Sequence, residues 1–162
     1  MSDAALLATG SPEPESPSDA AAIEALVLAA FGPGRYAKTA ERLREGATPL
    51  AGFVLREGDR LIGSVRLWPV TVDGRPAAFL GPIAVEASRR EGGLGAALIE
   101  AAVAAARAAG QSGVLLVGTP WFERFGFAPA PGVTLPGPVD RRRIWWLALD
   151  GRDPPEGTCV RA

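Results

Sequence analysis

The chain has 162 residues, 48% of them hydrophobic, with a formal net charge of -1 and no histidine. That length suits one domain around one core over residues 1–162, and the near-neutral balance gives no footprint for nucleic acid or an anionic membrane. The composition excludes an imidazole base and a histidine-ligated metal, and with Cys159 as the sole cysteine it also excludes an intramolecular disulfide and a cysteine metal cluster.

Residues 1–17 are expected to be an irregular lead-in, because Pro12, Pro14 and Pro17 crowd its second half. Leu6–Ala8 is a candidate short strand within it. A helix should start at Ser16-Pro17-Ser18-Asp19: Ser16 can cap, Pro17 fits the first turn, and Asp19 complements the positive end. Ile23, Leu26, Val27 and Ala30 make its apolar stripe, and Gly32-Pro33-Gly34 ends it. A second helix is predicted over Ala37–Glu45. Phe53–Glu57, Arg60–Val72 and Pro76–Val85 then read as an antiparallel meander turning at Gly58-Asp59 and Asp73-Gly74. Gly81-Pro82 lies inside the third strand and should bulge or break its ladder, since proline brings no N–H.

A long helix is predicted over Leu94–Ala109, stopped by Gly110, with Leu94, Leu98, Ala101, Ala105 and Ala108 as its apolar face and Glu100 and Arg107 opposite. Gly113–Val117 is continuously apolar, hence buried on both faces. A crossover helix precedes it, so it should run parallel to the strand before that helix. Residues 128–162 are expected to be a C-terminal loop, centred on Pro129–Pro138, and a final strand over Arg143–Leu149. Trp121, Trp145 and Trp146 suit core packing or a homodimer contact. Cys159 reads as a bystander, buried or on the surface. There is no basic-then-apolar leader pattern and no run of about 20 uncharged apolar residues, so the expectation is a cytoplasmic protein.

The most informative stretch is residues 80–95, Leu-Gly-Pro-Ile-Ala-Val-Glu-Ala-Ser-Arg-Arg-Glu-Gly-Gly-Leu-Gly. A strand ends at Val85, a basic glycine-rich turn follows, and a helix begins near Leu94. Such a turn can aim several N–H groups at one anion, helped by the positive helix end and by Arg89 and Arg90. It lacks the lysine of a phosphate-binding P-loop, and Leu98 follows where a dinucleotide fingerprint would continue with glycine. A pyrophosphate-bearing ligand is one reading; a turn that merely links strand to helix is the other.

Arg90-Glu91-Gly92-Gly93-Leu94-Gly95 matches the Arg/Gln-x-x-Gly-x-Gly/Ala pattern of the GNAT N-acetyltransferase superfamily. Phe79–Val85 upstream, then Val114–Val117 and Trp121-Phe122-Glu123-Arg124-Phe125-Gly126-Phe127 downstream, extend the resemblance from about Ala20 to Phe127. Leu135-Pro136-Gly137-Pro138 resembles a bacterial branch of acetyltransferases whose acceptors are undefined. The resemblance implies an α/β (α+β) fold with a mixed, mostly antiparallel central sheet, helices on both faces and a splayed strand pair. It implies that Pro76–Val85 and Gly113–Val117 part around the pantetheine arm of acetyl-CoA. Ile83, Ala84 and Val85 would then contact the arm, and Arg90, Glu91, Gly92, Gly93, Leu94, Gly95 and Ala96 would hold the pyrophosphate. The implied activity is an acetyl-CoA-dependent N-acetyltransferase, without metal, acting on a small-molecule amine or an exposed protein amino group.

Acetyl transfer needs a neutral amine, a polarised thioester carbonyl and a proton for the departing thiolate. The resembling family often supplies that proton from tyrosine in Tyr-x-x-x-Gly-Phe, where this chain has Phe122, which cannot donate. Tyr36, the only tyrosine, lies between the first two helices and could reach the thiolate or simply pack at the surface. Departure without a side-chain acid, or through water, is a further route. Glu86 follows the proposed pantetheine strand and could act as a base through water if burial raised its pKa, or be a solvated charge at a strand end. Arg141-Arg142-Arg143 could meet an acidic acceptor or form a solvated loop. Phe122 also leaves open a non-catalytic acyl-CoA-binding module; the tryptophans and the proline-rich tail leave open a structural or partner-binding protein.

Overall fold

In a computed structural model that describes residues 10–32, 41–44, 46–89, 92–137 and 139–162, β1 (Glu13–Pro14) and α1 (Ala20–Phe31) precede the short α2 (Glu41–Arg44). β2 (Ala51–Glu57), β3 (Arg60–Val72) and β4 (Arg75–Val85) form the expected antiparallel meander. α3 (Leu94–Ala108) crosses to β5 (Gly113–Val117), which pairs in parallel with β4. The chain closes with β6 (Ala128–Pro129), β7 (Val133–Thr134), β8 (Ile144–Ala148) and β9 (Gly157–Arg161). The strand order is β1-β2-β3-β4-β5-β8-β6, with β9 joined to the second half of β3 and β7 parallel to β9. This is a mixed, mostly antiparallel sheet. Leu6–Ala8 and the start of the predicted second helix lie outside the described residues.

Alternation along the strands sends side chains to two covers. Ile23 and Val27 of α1 pack on Val54 and Ala84, while Leu98, Ile99, Ala102 and Ala106 of α3 pack on Leu55, Val65, Leu67, Val114 and Leu116. The α1 stripe is as expected. That of α3 is rotated: Ile99, Ala102 and Ala106 are buried and Ala108 is exposed. An alanine-rich helix looks alike on every side, so the large Leu98 and Ile99 set its rotation. Leu98 enters a notch at Gly63, where a Cβ would sit 3.1 Å from its Cδ1.

The lead-in is more ordered than its prolines imply. Glu13 and Pro14 pair with Val54 and Phe53 of β2. Arg56 donates from Nε to Glu13 at 2.7 Å, and Arg66 makes two 2.9 Å bonds to Glu15. These ion pairs hold a segment too short and too proline-rich to read as a strand. The expected helix start is a 3-10 turn, Pro17–Asp19, in which the Asp19 carboxylate accepts from the Ser16 N–H at 2.9 Å and from its hydroxyl at 3.1 Å.

Asp19 is buried and both its oxygens accept from Arg56 Nη2 at 2.7 Å. Arg56 first, then the Ser16 N–H, holds its carboxyl below the ordinary value of 3.8. A depressed acid stabilises the fold above that ordinary value and loses the contribution as the pH falls through its folded-state value. Thermal melts should therefore show wild type above Asp19→Asn near neutral pH, with the gap shrinking in acid. A constant gap across that range would contradict the assignment.

The C-terminal region departs most from expectation. Arg143–Leu149 is indeed a strand, over Ile144–Ala148, but it is not the last. β9 follows, pairing Val70–Val72 of β3 with Cys159–Arg161. β9 is legible only weakly, since just Cys159 of its five residues is buried. No helix among the described residues is long and apolar enough to cross a membrane.

Candidate active site

The β4–β5 ladder consists of two pairs, Ala78↔Val114 and Phe79↔Leu115, and among the described residues it goes no further. Beyond it, β5 continues along β8, and β4 stays on β3 through Ile83↔Val65, Ala84↔Ser64 and Val85↔Gly63. The register on β3 shifts between Val65 and Leu67, so Gly81 and Pro82 together oppose Arg66. This is the bulge expected at that proline; the Gly81–Pro82 peptide is cis and Gly81 has φ 145°. Each lip of the gap is pinned by a buried indole. Trp68 Nε1 donates to the Gly81 carbonyl at 2.6 Å, and Trp145 Nε1 donates to the Gly118 carbonyl at 3.1 Å.

The turn before α3 stands at one end of this gap. Gly93 is left-handed, with φ 76°, and among the described residues no side chain caps the helix. The first intrahelical acceptor, the Gly93 carbonyl, takes the Ala97 N–H at 3.1 Å. The N–H groups of Leu94, Gly95 and Ala96 therefore point out of the helix toward the turn. Of the three glycines only Gly93 requires positive φ. At Gly95 a Cβ would lie 3.8 Å from Trp121 Cη2. Arg89 is bound to Glu57 at 2.6 Å, so its charge is already engaged. Arg90 and Glu91 lie outside the described residues.

Ile83 and Val85 belong to the core facing α3, and Ala84 to the core under α1. Their backbone follows β3 on one edge, and on the other faces the gap left by β5. Glu86 ends the strand with its N–H on the Ile62 carbonyl at 2.8 Å. Its carboxylate is gripped by Arg60, through Nε at 3.0 Å and through Nη2, and by the Ser88 hydroxyl at 2.9 Å. Phe122 covers Gly118 so closely that a Cβ there would sit 2.6 Å from its ring. The phenyl thus stands at the β5 lip, edge-on to Trp121 and Phe127. Tyr36 lies outside the described residues. Arg142 is paired to Asp140 at 3.0 Å on an exposed 3-10 turn.

Near the gap, Arg44 escapes a sequence reading, and Trp121 departs from the core packing that was one of its two expected roles. Arg44 of α2 brings Nη1 to 3.2 Å from the position of a Gly81 Cβ, with its guanidinium 5.8 Å from the Phe79 ring centre. Trp121 is not core: it is 38% exposed, whereas Trp145 and Trp146 are 3% and 1% exposed. The only advance signal for Arg44 was its place in a short helix, and for Trp121 its place beside Phe122.

Cys159 is buried in β9, and burial pushes its thiol up to about 12. The thiolate is the reactive form, so a disulfide reagent at pH 8 should label unfolded but not native protein. Rapid labelling of the native chain would contradict this.

The acetyltransferase (GNAT) family model matches residues 20–127. The chain is 32% identical over 117 residues to the uncharacterized N-acetyltransferase YhbS of Escherichia coli K12, covering 70% of each. Among solved structures it is similar to Escherichia coli YhbS in complex with CoA, at 26% identity and TM-score 0.78 over 93% of this chain and 88% of that one. It is also similar to a GNAT family acetyltransferase from Brucella melitensis in complex with acetyl-CoA, at 28% identity and TM-score 0.74 over 95% and 96%. With the parted strand pair and the glycine-led helix already described, the chain belongs to the GNAT acetyltransferase family.

Proposed function

We propose that the chain binds acetyl-CoA between β4 and β5 and transfers its acetyl group to an amine. The observation that carries this reading is a parallel ladder that stops after two pairs next to a glycine-led helix start. Gly92, Gly93, Leu94, Gly95 and Ala96 offer backbone donors to the pyrophosphate, with Arg90 and Glu91 completing the motif. The open edge at Ile83, Ala84 and Val85 offers groups that pantetheine amides can meet as an added strand would. In the transfer, the amine nitrogen attacks the thioester carbonyl carbon. The carbon–sulfur bond breaks, the nitrogen loses a proton and the sulfur gains one.

Phe122 cannot supply that sulfur proton. Tyr36 or water is its source in this reading. Glu86 acts on the amine only through water and only when loosened from Arg60. The acceptor is a small-molecule amine or an exposed protein amino group.

The test is release of free CoA from acetyl-CoA across an amine panel, with binding measured alongside. Wild type should release CoA only when its amine is present. If thiolate protonation limits the rate, Phe122→Tyr should raise turnover, with about 100-fold as the scale of general acid catalysis. Tyr36→Phe and Glu86→Gln should lower turnover while leaving acetyl-CoA affinity nearly unchanged. Acetyl-CoA binding without release by any amine would favour the non-catalytic module that Phe122 also permits. Absence of binding would overturn both readings.

A further inference from the structure

Trp121 is the chain's exposed tryptophan, at 38%; Trp68, Trp145 and Trp146 are at 7% or below. Leaving so large an apolar ring in water forgoes burial worth about 25 cal/mol per Å², and the ring is not loose. Phe122 and Phe125 pack on it in T-shaped contacts, with ring centres 5.0 Å and 4.9 Å away and planes at 85° and 65°. The Arg124 guanidinium lies over one face of the ring, 4.9 Å from its centre, and Arg124 Nε donates to the Trp121 carbonyl at 2.9 Å. The six-membered edge of the indole points at the first turn of α3, its Cη2 lying 3.8 Å from the position of a Gly95 Cβ. A rigid aromatic ring and a cation thus stand together beside the N–H groups of Leu94–Ala96.

We propose that Trp121 and Arg124 form a subsite for the adenosine 3′-phosphate end of CoA, with the base stacked on the indole face that Arg124 does not cover and the 3′-phosphate paired with the guanidinium at the ring's rim. The inference rests on the acetyl-CoA reading of the cleft. If the pyrophosphate sits at Gly93–Ala96 and the arm enters the gap, connectivity puts the adenosine on the outer side of the pyrophosphate. There the exposed indole and its arginine are the neighbours of the turn. An indole offers a purine an extended π-face, and stacking of this kind is largely indifferent to hydrogen bonding. Arginine offers a forked set of donors to a phosphate. The adjacent Glu123 is also exposed and limits how much charge the pair presents.

The subsite is tested by titrating CoA, 3′-dephospho-CoA and 4′-phosphopantetheine into wild type, Trp121→Leu and Arg124→Gln. Melting curves first establish that each variant is folded. Trp121→Leu should weaken CoA and dephospho-CoA about tenfold or more and leave phosphopantetheine unchanged. Arg124→Gln should shrink the preference for CoA over dephospho-CoA. CoA should quench wild-type tryptophan fluorescence, and the quench should be lost in Trp121→Leu. Unchanged CoA affinity in Trp121→Leu overturns the subsite while sparing the cleft, and so does an equal loss for phosphopantetheine. No CoA binding by wild type overturns the cleft reading and the subsite with it.

Discussion

Gly93→Asp is expected to weaken acetyl-CoA binding at least about tenfold, or 1.4 kcal/mol. The position is open, with nothing among the described residues within 4 Å of where a Cβ would stand. The new carboxylate would therefore face the turn proposed to hold the pyrophosphate without clashing into the fold. Its φ of 76° is left-handed, a conformation that aspartate and asparagine tolerate better than other side chains. Gly93→Asn is thus the proper control: it carries the same backbone cost and the same bulk without the charge. Calorimetric titration of the three proteins should give a large loss for Asp and a small one for Asn. Added salt should narrow the gap, because exposed charges are screened. Equal affinity for the Asp and Asn variants would remove the phosphate from this turn.

Leu98→Ala is expected to cost about 2–5 kcal/mol of stability, lowering Tm by about 2–4 °C per kcal/mol in a chain of this size. Leu98 is fully buried and fills the notch at Gly63 against Leu55. Alanine has the higher helix propensity, so any loss comes from the emptied notch and not from the helix itself. Urea unfolding measures it directly. A loss below about 1 kcal/mol would mean that α3 docks without this contact.

Where hydrophobic pattern and turn chemistry act together, the sequence reading was close. β3 spans Arg60–Val72 and β5 spans Gly113–Val117 as expected; α3 starts at Leu94 as expected. Pro82 marked the bulge because a missing N–H is legible in one residue. The rotation of α3 was not legible, since alanine repeats carry little directional information. β1 and β9 were missed for another reason. Each is a short edge segment ordered by distant partners: Arg56 and Arg66 hold the first, and β3 and β7 hold the second.

The candidate site divides in the same way. The glycine turn and the strand before it are contiguous in the chain and could be read as one motif. The approach of Trp121 to Gly95, of Arg44 to Gly81 and of Phe122 to Gly118 brings together residues far apart or turned by an irregular 3-10 segment. Glu86 reads from sequence as either a base acting through water or a solvated charge at a strand end; the fold places Arg60 and Ser88 on it. Only tertiary packing decides such contacts.

The most direct test is a crystal structure of the protein grown with acetyl-CoA. The pyrophosphate should accept hydrogen bonds from the Leu94–Ala96 N–H groups at about 2.7–3.2 Å, and the pantetheine arm should run between Ile83–Val85 and β5. Acetyl-CoA bound elsewhere, with the gap between β4 and β5 left empty, would contradict the assignment.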